Sequence, residues 1–492
     1  MKIFSFNPKR YKLILTMKPQ TLFRLKFCCI ILSFITVNFA CSAQQGEQEG
    51  WNNLSAIMKK IVPPTFASHD YSIVNYGAKA DGTTDCLPAI KNAIAECNKA
   101  GGGRVLVPAG TWFVKGPIHL LSNVDLHLEA NAVVKFSTDA DDYLPAVLTR
   151  FEGVELMNYS PLIYAYNQKN IAVTGKGTFD GQADNDHWWN WTGSKRFGWR
   201  EGMPSQHDKE NEPAMMQMAA KGIPAKDRLF GKGHYMRPTF VEFYSCKNIL
   251  IQGVTIINSP FWLLHPTLSK NITVDGVTTN SLGPNNDGCD PESCTDVVIK
   301  NCSFTDGDDC IAIKSGRDAD GRRINVPSKN IIVQDCQMKD GHGGIVIGSE
   351  TSGGVENIYG QNCVMSSKNL ERAIRIKSNA CRGGVLKNFY FRNLKVGQVH
   401  EAVVKINMHY ANEKGADCNY PPTLSGVYVN NIVSQESEYA IYIEGLDDKP
   451  VTNINFSNCN FNNVEKENFI KDAKDLHVTK TTVNGKVANI NK

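Results

Sequence analysis

Asp308 and Asp309 are adjacent in Gly307-Asp308-Asp309, and a second acidic stretch, Asn285-Asn286-Asp287-Gly288-Cys289-Asp290, precedes them. His342 follows between two glycines, and Arg375-Ile376-Lys377 closes the set. Paired carboxylates are the equipment of general acid–base catalysis, in which one group holds a proton while its neighbour accepts one. Three carboxylates held close together disfavour simultaneous ionisation and raise at least one of their pKa values. An arginine and a lysine beside them suit an anionic substrate, the planar guanidinium fork matching a carboxylate. Each motif is weak alone: Asp-Gly and Asn-Gly are turn pairs, and Asp pairs bind calcium. In this order and on one face, the set fits glycoside hydrolysis.

A common face comes from an internal repeat. Its units open with Asn170-Ile-Ala-Val, Asn248-Ile-Leu-Ile, Asn271-Ile-Thr-Val, Asp296-Val-Val-Ile and Asn330-Ile-Ile-Val. Asn357-Ile-Tyr, Asn388-Phe-Tyr-Phe, Gly426-Val-Tyr-Val and Asn453-Ile-Asn-Phe continue the series. Starts from Asn248 to Asn357 lie 23, 25, 34 and 27 residues apart. Short strands and turns at this period, without helices between them, predict a β-solenoid. Cys302, Cys336, Cys363 and Cys459 recur at one offset, which predicts inward-facing small residues rather than disulfides. Cys289, Cys294, Cys310, Cys381 and Cys418 are less regular and leave room for a bridge, with no pairs assigned.

In a solenoid, residues at equal offset stack about 4.8 Å apart. Asp308 and Asp309 stand 12 and 13 residues after Asp296, and His342 stands 12 after Asn330. Register therefore predicts acids, histidine and cations in neighbouring coils along one wall. The carboxylates should be one to two coils apart, about 5–10 Å. That overlaps the roughly 6.5–9.5 Å that leaves room for a water between acid and base. Adjacent aspartates in a regular strand point to opposite faces, but a bend at Gly307 lets both reach solvent.

Residues 71–140 read as strand, helix, strand, with the helix from Pro88 to Ala100 stopped by Gly101-Gly102-Gly103. A helix this early suggests a cap on one end of the solenoid, which then occupies 141–492. Residues 180–237 form an insertion carrying Trp188, Trp189, Trp191 and Trp199. A loop this long is functional or disordered, and four tryptophans argue against disorder. Two readings of the rings stay open: stacking on sugars, or packing the loop onto the body. Residues 44–70 read as a linker.

The chain has 492 residues, with 53 basic and 49 acidic side chains giving +4. That balance excludes a strongly basic nucleic-acid binder and an acidic disordered tail. The charges are uneven: residues 1–40 hold seven basic groups and no acid, so the remainder is 46 minus 49, or −3. The apolar run Phe27–Phe39 is sized like a signal-peptide core, so residues 1–43 read as an export leader. The Ala40-Cys41 junction is similar to a lipoprotein signal in which Cys41 carries the lipid anchor; cleavage after Ala43 is the alternative. Export to the periplasm or cell surface follows either way. No other stretch reaches the roughly 18 apolar residues of a membrane helix.

Asn286-Asp287 with Asp290, Gly307-Asp308-Asp309, Gly341-His342-Gly343 and Arg375-Ile376-Lys377 together resemble the four motifs of the polygalacturonases, glycoside hydrolase family 28. The resemblance runs from about Tyr71 to the C-terminus. It implies an all-β fold, a right-handed parallel β-helix with a small N-terminal α/β cap. It also implies inverting hydrolysis of α-1,4-linked galacturonate in pectin, with no metal or other cofactor. Position by position, it implies Asp309 as general acid and Asp287 and Asp308 as the bases that activate water. His342 would support the acid's protonation, and Arg375 and Lys377 would bind substrate carboxylates. The middle residue of the first motif is usually Thr in endo-acting members and is Asn286 here.

Ser259-Pro-Phe-Trp-Leu-Leu-His-Pro266 is similar to the exo-acting bacterial branch, which would put Trp262 and His265 at the substrate. Tyr410 is a candidate for stacking on the product-side sugar. With the insertion closing one end of the groove, exo-action is expected, by a monomer without a nucleic-acid partner. The rivals are a rhamnogalacturonan-directed hydrolase of the same family, a calcium-dependent pectate lyase, and a non-catalytic polysaccharide-binding solenoid.

Overall fold

The computed structural model describes residues 46–411 and 418–488; the leader expected over 1–43, with Cys41, lies outside them. Successive coils contribute strands to three faces. Two faces are long sheets of 13 and 14 strands, parallel except for a final antiparallel pair, Thr482–Val483 with Lys486–Val487. The third face begins with four strands: Ile118–His119, Ile163–Tyr166, Val241–Tyr244 and Leu264–Thr267. It resumes with six: Ile311–Ile313, Ile345–Ile347, Arg372–Lys377, Ala402–Asn407, Tyr439–Glu444 and Phe469–Lys471. Isolated bridges through Cys289 and Glu292 join the two parts. The fold is a parallel β-helix, and the helix Leu87–Lys99 buries Ile90, Ala93, Ile94 and Cys97 in the core at its N-terminal end.

Register follows the openings of the repeat units, with Val297 paired to Ile331 and Ile331 to Ile358. The opening residues Asn248, Asn271, Asp296, Asn330 and Asn357 all take φ between 57° and 60°. Asn and Asp tolerate this left-handed region because their short polar side chains bond locally. Gly426 fills the same place at φ 75°, where it has no Cβ to clash. The side chains also form a ladder: Asn248 donates to Asn170, Asn271 to Asn248 and Asn330 to Asp296, each at 2.8 Å. The repeat's first letter is therefore set by backbone geometry and by the coil beneath it.

Cys302, Cys336, Cys363 and Cys459 are buried free thiols, each donating to the carbonyl two residues earlier. Cys381 and Cys418 form a disulfide, while Cys289, Cys294 and Cys310 are buried and free.

The stretch read as a linker departs from that reading. Residues 50–58 are helical. Leu54, Ile57 and Ile61, at i, i+3 and i+7, bury an apolar stripe against Val298, Ile332 and the rings of Tyr359, Tyr390 and Tyr428. Those three tyrosines stack at 5.0 and 5.1 Å on successive coils and offer the stripe a flat surface.

The insertion and an antiparallel hairpin, Val147–Phe151 with Val154–Asn158, supply a second apolar core. Phe151, Val154 and Leu156 of the hairpin meet Met215 and Ala219 of the helix Glu212–Ala220, with Phe261 and Trp262 beneath. Trp188 is buried in the main core, and Trp189 and Trp191 pack against it. For these three rings the packing reading is the one the structure has.

Candidate active site

Outward-pointing residues of the third face form a column. It runs Glu242, His265, then Ala312, Val346, Arg375 and Lys405, with Asp290 placed between His265 and Ala312 by the bridged Leu264, Cys289 and Ile311. The acids gather at the joint between the two parts of this face. One oxygen each of Asp287, Asp308 and Asp309 lie within 4.8 Å of one another. That is tighter than the expected 5–10 Å spacing of whole coils, because the bends of successive coils interlock. Gly288 N donates to Asp309 O at 3.0 Å, and Asp308 N donates to Asn286 O at 3.3 Å. A Cβ on Gly288 would meet Asp306, Phe304 and the Cys310 carbonyl within 2.6 Å, so only glycine permits this approach. Asn286 pins the bend, accepting from Ser281 Oγ at 2.6 Å and donating to Ser259 O and Phe261 O at 3.1 Å.

The two adjacent aspartates have different surroundings. Asp309 is fully buried, with Lys377 Nζ 2.7 Å from Oδ2 and Arg375 Nη1 3.3 Å from Oδ1. Asp308 keeps 18% of its side chain exposed, and its Oδ1 faces His342 Nδ1 at 3.0 Å. His342 therefore supports Asp308, whereas the resemblance implied that it supports an acid at Asp309. Lys314 Nζ lies 3.5 Å from Asp287 Oδ2 and 3.2 Å from Glu350 Oε2. Asp290 is fully buried, and neither of its oxygens has a hydrogen-bond partner among the described residues.

These surroundings split the carboxylates into two kinds. Burial, then Asp290 and Asp308, push the Asp287 carboxyl well above its usual range. Burial likewise pushes Asp290 up, with Lys314 only partly offsetting it. Burial also opposes ionisation of Asp309, but Lys377 and Arg375 outweigh it and hold that carboxylate below its usual range. At Asp308 burial is outweighed by His342, Lys377 and Lys314, again holding the group low. The hydrogen bond to Asp308 raises the His342 pKa to about 9. Asp287 and Asp290 thus favour the neutral form, Asp308 and Asp309 favour the ionised form, and the proton between Asp308 and His342 rests on the histidine. Calcium takes about six to eight oxygens, and this trio is already faced by Lys314, His342, Arg375 and Lys377.

The family model for glycosyl hydrolases family 28 matches residues 226–483. A second, for rhamnogalacturonase A/epimerase, pectate lyase-like, matches 71–146. The crystal structure of a hyperthermoactive exopolygalacturonase from Thermotoga maritima is 45% identical, with a TM-score of 0.83, covering 90% of this chain and 96% of that one. This chain belongs to glycosyl hydrolase family 28. A probable polygalacturonase of Vitis vinifera is 29% identical over 476 residues, 93% of this chain and 86% of the relative. An exo-poly-alpha-D-galacturonosidase of Dickeya chrysanthemi is 27% identical over 439 residues, 84% of this chain and 70% of the relative.

Two residues expected at the substrate are elsewhere in this family 28 hydrolase. His265 is in the outward column but fully buried, with Nε2 2.8 Å from Glu292 and Nδ1 3.5 Å from Glu242. The hairpin roofs it: Thr149 Oγ1 donates to Glu242, and Arg150 Nη1 donates to Glu292 at 2.9 Å. Trp262 is 3% exposed, stacked on Phe261 at 5.0 Å, edge-on to His265 at 4.9 Å, and lies beneath Lys314 Nζ at 4.3 Å. Both are therefore supports of the floor rather than sugar contacts. His265→Ala leaves two buried glutamates facing one arginine, so it should cost about 3–5 kcal/mol in urea unfolding. The substrate KM should stay unchanged; a raised KM with unaltered stability would restore the direct role.

Tyr410 does reach the site, with Arg375 and Lys377 5.1 and 5.0 Å from its ring centroid. Beside His342 opens a cavity of about 430 Å³ that Arg196, Lys368 and His400 also line. Sequence reasoning missed these three, and it missed Lys314. Lys314 had a usable signal, since it ends the same strand run that Asp308 and Asp309 begin. Arg196 had none, because nothing local says where an insertion folds back.

Proposed function

We propose that this enzyme is an exo-acting polygalacturonase, an inverting hydrolase of α-1,4-galacturonosyl linkages in an exported setting. One observation carries the exo reading. The outward column is roofed by the hairpin at Glu242 and His265, whereas Asp308 and His342 beyond it keep 18% and 44% of their side chains exposed. The insertion is tied down at the acid coil itself, where its last residue, Arg237, donates to Pro284 O and Asn285 Oδ1, each at 2.7 Å. On the other flank Arg317 lies 2.7 Å from Glu152 of the hairpin and 3.6 Å from Glu212 of the insertion. A groove closed on one side of the scissile bond accepts chain ends and rejects chain interiors.

The chemistry follows from the two kinds of carboxylate. The Asp308–His342 pair carries one proton, on the histidine at rest; that proton passes through the Asp308 carboxyl to the leaving glycosidic oxygen and leaves His342 neutral. Asp309, kept ionised by two cations, takes a proton from water as that water attacks the anomeric carbon. Asp287 orients the same water. Two oxygens up to 4.8 Å apart can be bridged by one water with hydrogen bonds of about 2.8 Å. This assignment exchanges the roles of Asp308 and Asp309 that the resemblance implied.

Homogalacturonan and oligomers labelled at the reducing end test the reading. Monomer or dimer should accumulate from the first time point, with turnover intact in excess chelator and no unsaturated, ultraviolet-absorbing product. A ladder of intermediates would sink exo-action, an unsaturated product would mean a lyase, and cleavage confined to rhamnogalacturonan would move the enzyme to another backbone.

A further inference from the structure

Three successive coils place a lysine at the corner where the chain leaves the third face. Lys169 follows the strand Ile163–Tyr166, Lys247 follows Val241–Tyr244 and Lys270 follows Leu264–Thr267. Asn167, Ser245 and Leu268 turn the chain there, with φ of 53°, 53° and 49°. Register stacks Lys169 on Lys247 and Lys247 on Lys270, one strand spacing of about 4.8 Å apart. All three are exposed, and none makes an ion pair among the described residues. Like charges directly opposite one another on paired strands destabilise a sheet. Farther along the same register the column is neutralised, with Lys329 and Lys387 flanking Glu356 at 2.6 and 3.1 Å. The three lysine coils have no such anion. Across residues 163–175, 241–253 and 264–276 the acids are Glu242, which is fully buried, and Asp275, which Lys300 pairs at 3.4 Å. Asp296, one coil beyond Lys270, accepts from Asn330 and stands at the ladder's end. The N-terminal stretch brings two more cations. Val62 N donates to Asn271 Oδ1 at 2.9 Å and Asn271 Nδ2 donates to Val62 O at 2.8 Å, which docks that stretch beside Lys270. Lys59 and Lys60 come just before this contact, both exposed, in a segment 50–67 that contains no acid.

We propose that this lysine ladder is a non-catalytic docking surface for a polyuronate chain, set apart from the cleft that cleaves it. The identity of the ligand rests on the polygalacturonase reading. A polyuronate carries a carboxylate on every ring, so it offers a line of like charge to a line of opposite charge. Five cations against Asp296 make a local positive excess on a chain whose residues past 40 sum to −3. Each exposed contact is weak and screened by salt, so the lysines act together. Tyr166, at the corner before Lys169, is 48% exposed and gives a sugar ring an apolar face. The catalytic acids and the ladder occupy opposite edges of the third face. Asp308 precedes the strand Ile311–Ile313, whereas each lysine follows its strand. A polymer held on the ladder therefore stays close to the enzyme without filling the cleft, which raises the local concentration of chain ends. A fluid anionic surface is served by lysines at any spacing; a strict register beside an exposed ring matches a polymer.

The test is the triple variant Lys169→Gln, Lys247→Gln and Lys270→Gln, with Asp309→Asn added wherever binding is measured so that no turnover intervenes. Retardation in gels containing polygalacturonate should weaken about tenfold, the summed loss of three exposed ion pairs. Fully methyl-esterified pectin, which lacks the charge, should not distinguish ladder variant from parent. With the acids intact, KM on polygalacturonate should rise severalfold at low salt, while kcat/KM on the galacturonate trimer stays unchanged. The melting temperature should hold or rise, because stacked like charges are removed. Unchanged retardation with unchanged polymer KM would overturn the docking surface, and so would an equal loss on trimer and polymer. A variant still retarded by polygalacturonate but no longer sedimenting with phosphatidylglycerol vesicles would overturn it in favour of a membrane. Ladder-dependent retardation in a protein whose wild type cleaves neither substrate would keep the surface and sink the hydrolase reading. Cleavage of both with ladder-independent retardation would do the reverse.

Discussion

Asp308→Asn is expected to lose on the order of 10²–10⁴-fold in kcat on polygalacturonate, and to recover most of that loss on an aryl galacturonide with a good leaving group. An activated leaving group departs without a proton, so only the general acid becomes dispensable. Asp309→Asn should lose a comparable factor on both substrates, because deprotonating the attacking water is needed whatever leaves. The asymmetry follows from the surroundings of the two side chains. Asp308 has 18% of its side chain at the surface and a histidine 3.0 Å away to resupply a proton. Asp309 has no exposure and two cations that favour its charge. Circular dichroism should accompany the Asp309 variant, since it leaves Arg375 and Lys377 without their shared anion. The reverse pattern, rescue of Asp309→Asn alone, would return the acid to the position the resemblance implied.

Register carried the reading of this molecule a long way. Counting 12 residues from Asp296 and from Asn330 placed Asp308 and His342 side by side, and the structure puts them 3.0 Å apart. Counting works in a solenoid because each coil repeats the backbone of the one below it. It fails where the chain leaves the coil. His265 sits in the outward column, but Thr149 and Arg150, more than a hundred residues earlier, close over it. The helix over residues 50–58 was hidden because its stripe is short and its partner surface, the tyrosine stack, exists only once the coils are assembled. The order of acid and base within Asp308-Asp309 was illegible for a different reason. Alternation assigns faces in a strand, but these residues sit on a bend, where their partners rather than their spacing decide which one faces a proton donor.

Lys314→Met should move the acidic limb of kcat/KM upward, with about a tenfold loss below that limb for each unit of movement. The ammonium is buried over the Trp262 ring, facing Asp287 and Glu350 directly and Asp290 and Asp309 through space. Its charge is one of those that hold Asp309 and Asp308 below the usual carboxylate range. Methionine keeps the length and a favourable sulfur contact with the indole, so the cavity stays filled while the charge goes. The sign follows directly. A depressed carboxylate pKa keeps the base ionised as pH falls; removing a cation lets that pKa rise, so the base is protonated at a higher pH. Activity should therefore return as pH is raised, until the alkaline limb set by His342 near 9. Stability should fall too, by about 3–5 kcal/mol in denaturant, because Glu350, Asp287 and Asp290 lose a buried partner. The two readouts separate a structural lysine from a tuning one. A loss equal at every pH would leave Lys314 as a packing residue. A shifted limb would show that the charge beneath the floor decides which carboxylate carries the proton.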